Sequence, residues 1–361
     1  MSKPTSFSFV VALLLYALIS ITACTAGKNR ITAPDVYKVF PPPPDTARIQ
    51  FLTSINSSED ISGNQTGFNR YLFGKIEPTV LIKPYGIANS GSKVYICDTG
   101  IGGLVIMDLE RGSFNQFLPE GKGALQFPIN CAVDKENRLY VADGNRRQIV
   151  VFDENGNYIN AFGEGTDLFK PTDVEVSSDR IYVSSISDHS VYIYDKSDYS
   201  LVSILSGKSE QNSDYLYQPA NIALFENEIF VSDIGDYKIK VFLEDGTLLR
   251  TIGNFGAGYG QFTRPKGVVA DREKNVYVVD AAFENVQIFN SQGQLLTYFG
   301  GPYKSPGDML LPADISLDYN NIDHFIDYVD PDFDIQYLIY VTNQYGPGKI
   351  GVYGFIKPRI K

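Results

Sequence analysis

Pro265-Lys-Gly-Val-Val-Ala-Asp271 leads into Tyr277-Val-Val-Asp280, then Val286-Gln-Ile-Phe289, a turn at Ser291-Gln-Gly293, and a last apolar run from Leu295 to Phe299. Four short segments rich in β-branched and aromatic residues, separated by turn residues, predict four successive antiparallel strands rather than helices. The unit recurs. Six prolines open it, Pro84, Pro128, Pro171, Pro219, Pro265 and Pro312, at intervals of 43 to 48 residues. Second strands end at Asp98, Asp143, Ser185, Asp233, Asp280 and Asn343. Third strands follow at Leu104–Met107, Ile149–Phe152, Val191–Tyr194, Ile239–Phe242, Val286–Phe289 and Ile350–Tyr353. A period of about 40–50 residues with four strands per repeat is that of a propeller blade.

The sixth unit is short by one strand, because only six residues follow Phe355. Arg48-Ile-Gln-Phe-Leu-Thr53 has the character of the missing strand. Pairing it beside Val352 would close the ring and cover an open sheet edge. The fold expected is therefore an all-β, six-bladed β-propeller over residues 47–361, closed by an N-terminal strand.

Composition narrows the function. The chain of 361 residues carries a formal charge of -11. Its pI is about 4.8, which disfavours nucleic acid as a partner. Arg146 and Arg147 are too isolated to form a nucleic-acid patch. Three cysteines without a Cys-x-x-Cys exclude a disulfide scaffold and a thiolate zinc site. The two histidines, His189 and His324, fall in connections that leave opposite ends of a propeller. A multi-histidine metal centre is thereby excluded, and Ser187-Asp188-His189-Ser190 lacks the nucleophile elbow of a hydrolase triad. Gly253 to Gly260 joins two strands and so reads as a connector rather than a phosphate loop, which would need a helix after it.

At the N-terminus, Lys3 precedes an apolar run from Phe7 to Thr22, and Ile21-Thr22-Ala23-Cys24 ends it. This is signal-peptide layout. The last four residues resemble the lipobox of bacterial lipoproteins, in which the cysteine is lipidated after cleavage. The resemblance implies a signal peptide over 1–23 and a lipid on Cys24 as the tie to a membrane. It also implies a place in the cell envelope, periplasmic or surface-facing. Thr25, where an Asp would favour inner-membrane retention, implies the outer membrane of a Gram-negative host. Residues 24–46 are polar and Pro-rich, ending in Pro41-Pro42-Pro43-Pro44, and read as an extended spacer.

The repeat, Pro-x-Gly-Ile/Val-Ala-x-Asp followed by Tyr-Val-x-Asp and Ile-x-Val-Phe, resembles the NHL repeat. Pro84-Tyr-Gly-Ile-Ala88, Tyr140-Val-Ala-Asp-Gly-Asn145 and the run from Gly256 to Asp271 carry the likeness best. It extends from about residue 80 to 355. With the lipobox and spacer, the chain is similar to bacterial envelope NHL lipoproteins. That resemblance speaks for fold more than for activity, since NHL propellers include protein-binding, RNA-binding and enzymatic members.

Two residues after the blade proline, the repeat keeps Gly86 and Gly267 but has Asn130, Asp173, Asn221 and Asp314 in the other blades. Equivalent positions in a ring lie at similar depth, so these side chains should converge on the central channel. Glu175 shares the strand face of Asp173. Oxygen donors of this kind suit calcium, and related six-bladed lactonases use a central metal. The bland alternative is that these residues cap turns or bind channel water. Blade six holds a second candidate. Its long insertion contains Tyr319, Phe325, Tyr328, Asp330, Asp332 and Phe333, with an EF-hand-like alternation that fails because Ile335 stands at the turn glycine and Val341 at the final Glu. The mixture suits an exposed partner-binding loop, or else a loop that folds its own aromatics over the blade edge. Cys97 and Cys131 read as small core residues, with an inter-blade disulfide allowed in an oxidising compartment.

These readings favour a lipid-anchored scaffold that binds an exported protein or polymer. Its contact surfaces would be the insertion and the end of the ring carrying loops 99–103, 144–148, 186–190, 234–238, 281–285 and 344–349. The alternative is a metal-dependent, lactonase-like hydrolase with calcium in the channel.

Overall fold

The computed structural model describes residues 37–62, 77–163, 169–205 and 209–359. The expected signal peptide, Cys24 and the first part of the spacer lie outside these residues. All described residues belong to one compact unit, Val36–Lys361.

Six antiparallel sheets form the ring. Blade one is β3–β6 (Pro84–Ser90, Lys93–Asp98, Gly103–Asp108, Ser113–Phe117). Blade two is β7–β10 (Pro128–Val133, Leu139–Asp143, Gln148–Phe152, Tyr158–Phe162). Blade three is β11–β14 (Pro171–Val176, Arg180–Ser185, Ser190–Asp195, Leu201–Leu205). Blade four is β15–β18 (Pro219–Phe225, Glu228–Asp233, Lys238–Leu243, Leu248–Ile252). Blade five is β19–β22 (Pro265–Ala270, Val276–Asp280, Asn285–Phe289, Leu295–Gly300). Blade six is β23–β25 (Pro312–Asp318, Phe333–Asn343, Ile350–Pro358), completed by β2 (Ile49–Ile55) and β1 (Val39–Phe40). Each of the six prolines begins an innermost strand. Closure falls where the sequence places it, with Thr53 opposite Val352.

The spacer ends sooner than residue 46. Val39 and Phe40 already pair with Gln50 and Ile49 as a fifth strand of blade six. Lys38 fixes this strand through an ion pair to Asp308 at 2.6 Å, and the Phe40 ring lies 6.3 Å from that of Phe299. The proline run therefore turns the chain between two paired strands instead of standing it off as a free rod.

The aspartate that ends most second strands has a structural task. Asp98 accepts from the N–H groups of Ile82 and Lys83, at 2.7 and 2.8 Å. Asp143, Asp233 and Asp280 do the same for the two residues before Pro128, Pro219 and Pro265. A buried carboxylate thus satisfies the backbone donors of the connector entering the inner strand of its own blade. Ser185 and Asn343, the two exceptions in the repeat, each accept one such N–H, from Lys170 and Leu310.

The cores lie between blades. Tyr277, Tyr340, Phe230 and Phe289 are fully buried there among Val and Ile side chains. The blade-six insertion belongs to this packing and is not an exposed loop. It forms a single-sided 3-10 segment, Ile322–Tyr328. Phe325 is only 5% exposed, and Val329 is buried in the cluster between blades six and one, with Tyr328 packed against it. Tyr319 is 4.8 Å from Tyr337 and lies under the Arg272 guanidinium at 3.9 Å. Gln50 of the closing strand ties the segment down, donating to the Tyr328 carbonyl at 2.8 Å and accepting from the Asp330 N–H at 3.0 Å. Asp330 and Asp332 turn the chain into the half-buried Phe333, which opens β24. Phe325 and Tyr328 face inward because the wedge between blades one and six needs apolar filling there, while Tyr319 packs at the seam of blades five and six.

Candidate functional site

The channel site is built by a shared irregularity. In all six blades the pairing between the inner and second strand slips just after the proline. A bulge at that point lets consecutive side chains aim inward where strict alternation would send one away. In blades one and five the first residue after the proline therefore bears on the channel as well as the second.

Asn130, Asp173, Asn221 and Asp314 form its floor. Asn221 Nδ2 donates across the ring to Asp314 Oδ1 at 3.4 Å, and the Asn130 amide also bonds Asp314. Asp314 Oδ2 accepts from the Ile87 N–H of blade one at 3.0 Å, and Asp173 Oδ2 from the Ile222 N–H of blade four at 2.7 Å. Asp173 Oδ1 and Asn130 Oδ1 accept from the next residue's own N–H, at 2.8 and 2.9 Å. Gly86 and Gly267 supply the room. A Cβ on Gly86 would sit 2.1 Å from Asn130 Oδ1, and one on Gly267 would sit 2.6 Å from Asp314 Cα.

On one side of this floor lies a vestibule of about 150 Å³, lined by Asn130, Asp173, Asp314, Glu175, Asn89 and Ser316 among others. Burial raises the Asp314 carboxyl to about 7 against its backbone hydrogen bonds. Burial, with the Asp314 charge added, raises Glu175 to about 8. Asp173 is pushed well up by burial and by the Asp314 and Glu175 charges. Desolvated acids crowded together hold protons at neutral pH.

Of the five residues expected at the channel, Asn130, Asp173, Glu175 and Asp314 line one vestibule, and Asn221 reaches it through Asp314. The calcium expectation is not supported by their geometry. Calcium takes about 6–8 oxygens freed for it, whereas both Asp173 oxygens and both Asp314 oxygens already accept hydrogen bonds from protein donors. Among the described residues, no group of three or more His, Cys, Asp or Glu side chains is arranged to hold a metal ion. The carboxylates serve instead as staples between blades.

On the other side of the floor sits a group that sequence reading missed. Lys266 and Tyr85 occupy the position directly after the proline in blades five and one. They meet across the intervening blade six, with Lys266 Nζ donating to Tyr85 Oη at 2.7 Å. The ammonium also lies 4.4 Å from the Tyr85 ring centre. Lys266 is 3% exposed, and its amine is lowered to about 7, first by burial and then by the Arg264 charge. Only the bulge explains why this position faces the channel, and a bulge leaves no residue signature in these six prolines.

Cys97 and Cys131 meet between blades one and two as buried free thiols, with Cys131 against Cys97, so the disulfide allowed by the sequence is not formed. His189 bonds the Tyr217 carbonyl through Nδ1 at 2.5 Å and packs near Tyr215. His324 is exposed on the insertion, at the opposite end of the ring.

No family model matches the chain. A stretch of 94 residues, 26% of the chain, is 32% identical to Protein brain tumor of Drosophila melanogaster, and it spans 9% of that protein. Among solved structures, a gluconolactonase from Xanthomonas campestris superposes with a TM-score of 0.56 at 19% identity, over 86% of this chain and 90% of that one. A streptogramin B lyase superposes with a TM-score of 0.55 at 13% identity, over 78% and 84%. Identities this low carry the propeller fold alone. Among the described residues, no helix is long and apolar enough to cross a membrane.

Proposed function

We propose that the protein is a lipid-anchored binding propeller of NHL type at the bacterial cell envelope, whose working surface is the end of the ring bearing the second-to-third-strand loops and the blade-to-blade connectors. One observation carries this reading. Ile82, Leu118, Phe127, Phe255, Tyr259 and Tyr345 are exposed on that end, Phe255 at 63% and Tyr259 at 73%. At the opposite end, Ile326 is the exposed large hydrophobic among the described residues. Val80 and Tyr303 also lie on connectors, and the rest lie on outer strands. Apolar side chains gathered on one face, rather than scattered, mark an interaction surface, and aromatic residues are favoured at its centre.

Replacing Phe255 and Tyr259 by serine should remove retention of the exported protein or polymer while leaving the unfolding midpoint unchanged; retention by the double variant would refute the surface. Anchoring is tested separately. Cys24→Ala should abolish incorporation of an alkyne-tagged fatty acid, and undiminished labelling would refute lipidation at that residue.

A lactonase-like hydrolase is the second reading. It is favoured by the vestibule acids, since Glu175 and Asp314 titrate where a general acid or base is useful, and the gluconolactonase superposition is compatible with it. Hydrolysis of a panel of sugar lactones that disappears in Glu175→Gln would support it, and no turnover by the native protein would retire it.

A further inference from the structure

Lys266 is a buried amine with no ion-pair partner in contact among the described residues. Its hydrogen-bond partner is a neutral phenol, Tyr85. The charged groups acting on it are Arg264 and Lys83, which repel it, and Asp314 in the floor beneath, which attracts it. Among the described residues, no carboxylate lies within 4.0 Å of the Lys266, Arg264 or Lys83 side-chain nitrogens. Arg264 is exposed, and Lys83 reaches over the Tyr345 ring at 5.4 Å. Both stand immediately before the proline of blades five and one, two residues nearer the open end than Lys266 and Tyr85. Three cations thus converge on one mouth of the channel in a chain whose net charge is -11. Burying a cation beside like charges is costly unless an anion completes the site.

We propose that this mouth is a carboxylate-binding subsite, in which Lys266, Arg264 and Lys83 hold the anionic head of a ligand whose apolar body rests on Tyr85, Tyr345 and Ile82. The chain's acidity selects the class. A polyanion would be repelled by the remaining surface, whereas one carboxylate on an uncharged body is drawn to the three local cations, the Asp98 and Asp280 carboxylates behind them being engaged by backbone N–H groups. Ile82 and Tyr345 are exposed at 48% and 49% beside them. The subsite lies on the face assigned above as the working surface and rests on that reading for its biological ligand, although small-molecule binding tests it alone.

The test is calorimetric titration of the purified protein with phenylacetate, with phenylacetamide as its uncharged counterpart, and with Gly-Gly-Phe carrying either a free or an amidated C-terminus. Both free acids should bind, each amide at least tenfold more weakly. Lys266→Gln and the exposed-site variant Arg264→Gln should each weaken acid binding about tenfold. Because the anion favours the charged amine, binding should also weaken as pH rises past neutrality and should raise the Lys266 titration midpoint read by side-chain nitrogen NMR. A tripeptide that binds more tightly than phenylacetate identifies a chain terminus as the source; equal affinities identify a free small acid. Absence of binding, equal binding of the amides, or affinity unchanged in Arg264→Gln overturns the subsite. Carboxylate binding that persists while the Phe255/Tyr259 double variant still retains its partner would overturn the face reading and leave the subsite standing.

Discussion

The two ends of the ring both carry long loops that hold aromatics, and use them in opposite ways. At one end, the blade-six insertion combines aromatics with acids, and its Phe325 and Tyr328 are drawn into the wedge between blades six and one. At the other, the connector around Gly253 to Gly260 leaves Phe255 and Tyr259 in solvent, with Phe255 resting on Tyr237 at 4.7 Å and Tyr259 stacked on Tyr298 at 4.9 Å. Aromatics in a long loop therefore do not by themselves mark a partner surface. What separates the two is whether the blades leave a gap beneath.

The largest effect that would break this contrast lies in the insertion. Phe325→Ala should cost about 3–5 kcal/mol, the usual price for emptying a buried aromatic site, read as a lower urea midpoint. Excising the insertion for a Gly-Ser turn should destabilise the ring as well. A midpoint unchanged in either variant would restore the insertion to the list of exposed loops.

Next in size is the channel floor. Gly86→Ala sets a Cβ 2.5 Å from the Asn130 Cα as well as against its side chain. Overpacking of that kind costs about 1–3 kcal/mol, measurable as a fall in Tm, and a neutral substitution would show that the floor is looser than described.

The pH dependence follows from the same floor. Asp314 is raised from 3.8 to about 7 in the fold. Between those values the unfolded chain has lost the proton and the folded chain keeps it, so its contribution, complete at low pH, is lost as pH rises through the folded value. Asp314→Asn should flatten the decline between about pH 4 and 7. Lys266 acts oppositely and higher, since its lowered value makes charging costly below about 7. A stability profile unaltered by the substitution would remove the buried-acid account. Smallest of all, Tyr259→Ala on the connector should shift stability by less than about 0.5 kcal/mol.

Most of the ring was legible in the sequence. Prolines, strand-ending aspartates and the strand at Ile49–Ile55 each report a local requirement that their own residue type satisfies, so periodicity finds them. The convergence of Asn130, Asp173 and Asp314 was legible for the same reason, as equivalent positions in a ring. Their use as inter-blade staples was not, because it depends on which N–H groups of the next blade come within reach. Nor was the Lys266–Tyr85 pair, since alternation assigns the position after the proline to the other face and only the bulge reverses it. For the insertion the sequence left two readings open, an exposed partner loop or aromatics folded over the blade edge, and only the wedge at the ring closure decides for the second.

The most direct test of the central claim places a photoreactive phenylalanine analogue at Phe255 in one variant and at Ile326 in another, followed by irradiation in the native host. The account predicts a discrete partner adduct from position 255 and none from position 326. An adduct from position 326 alone would put the working surface at the opposite end of the ring and contradict it.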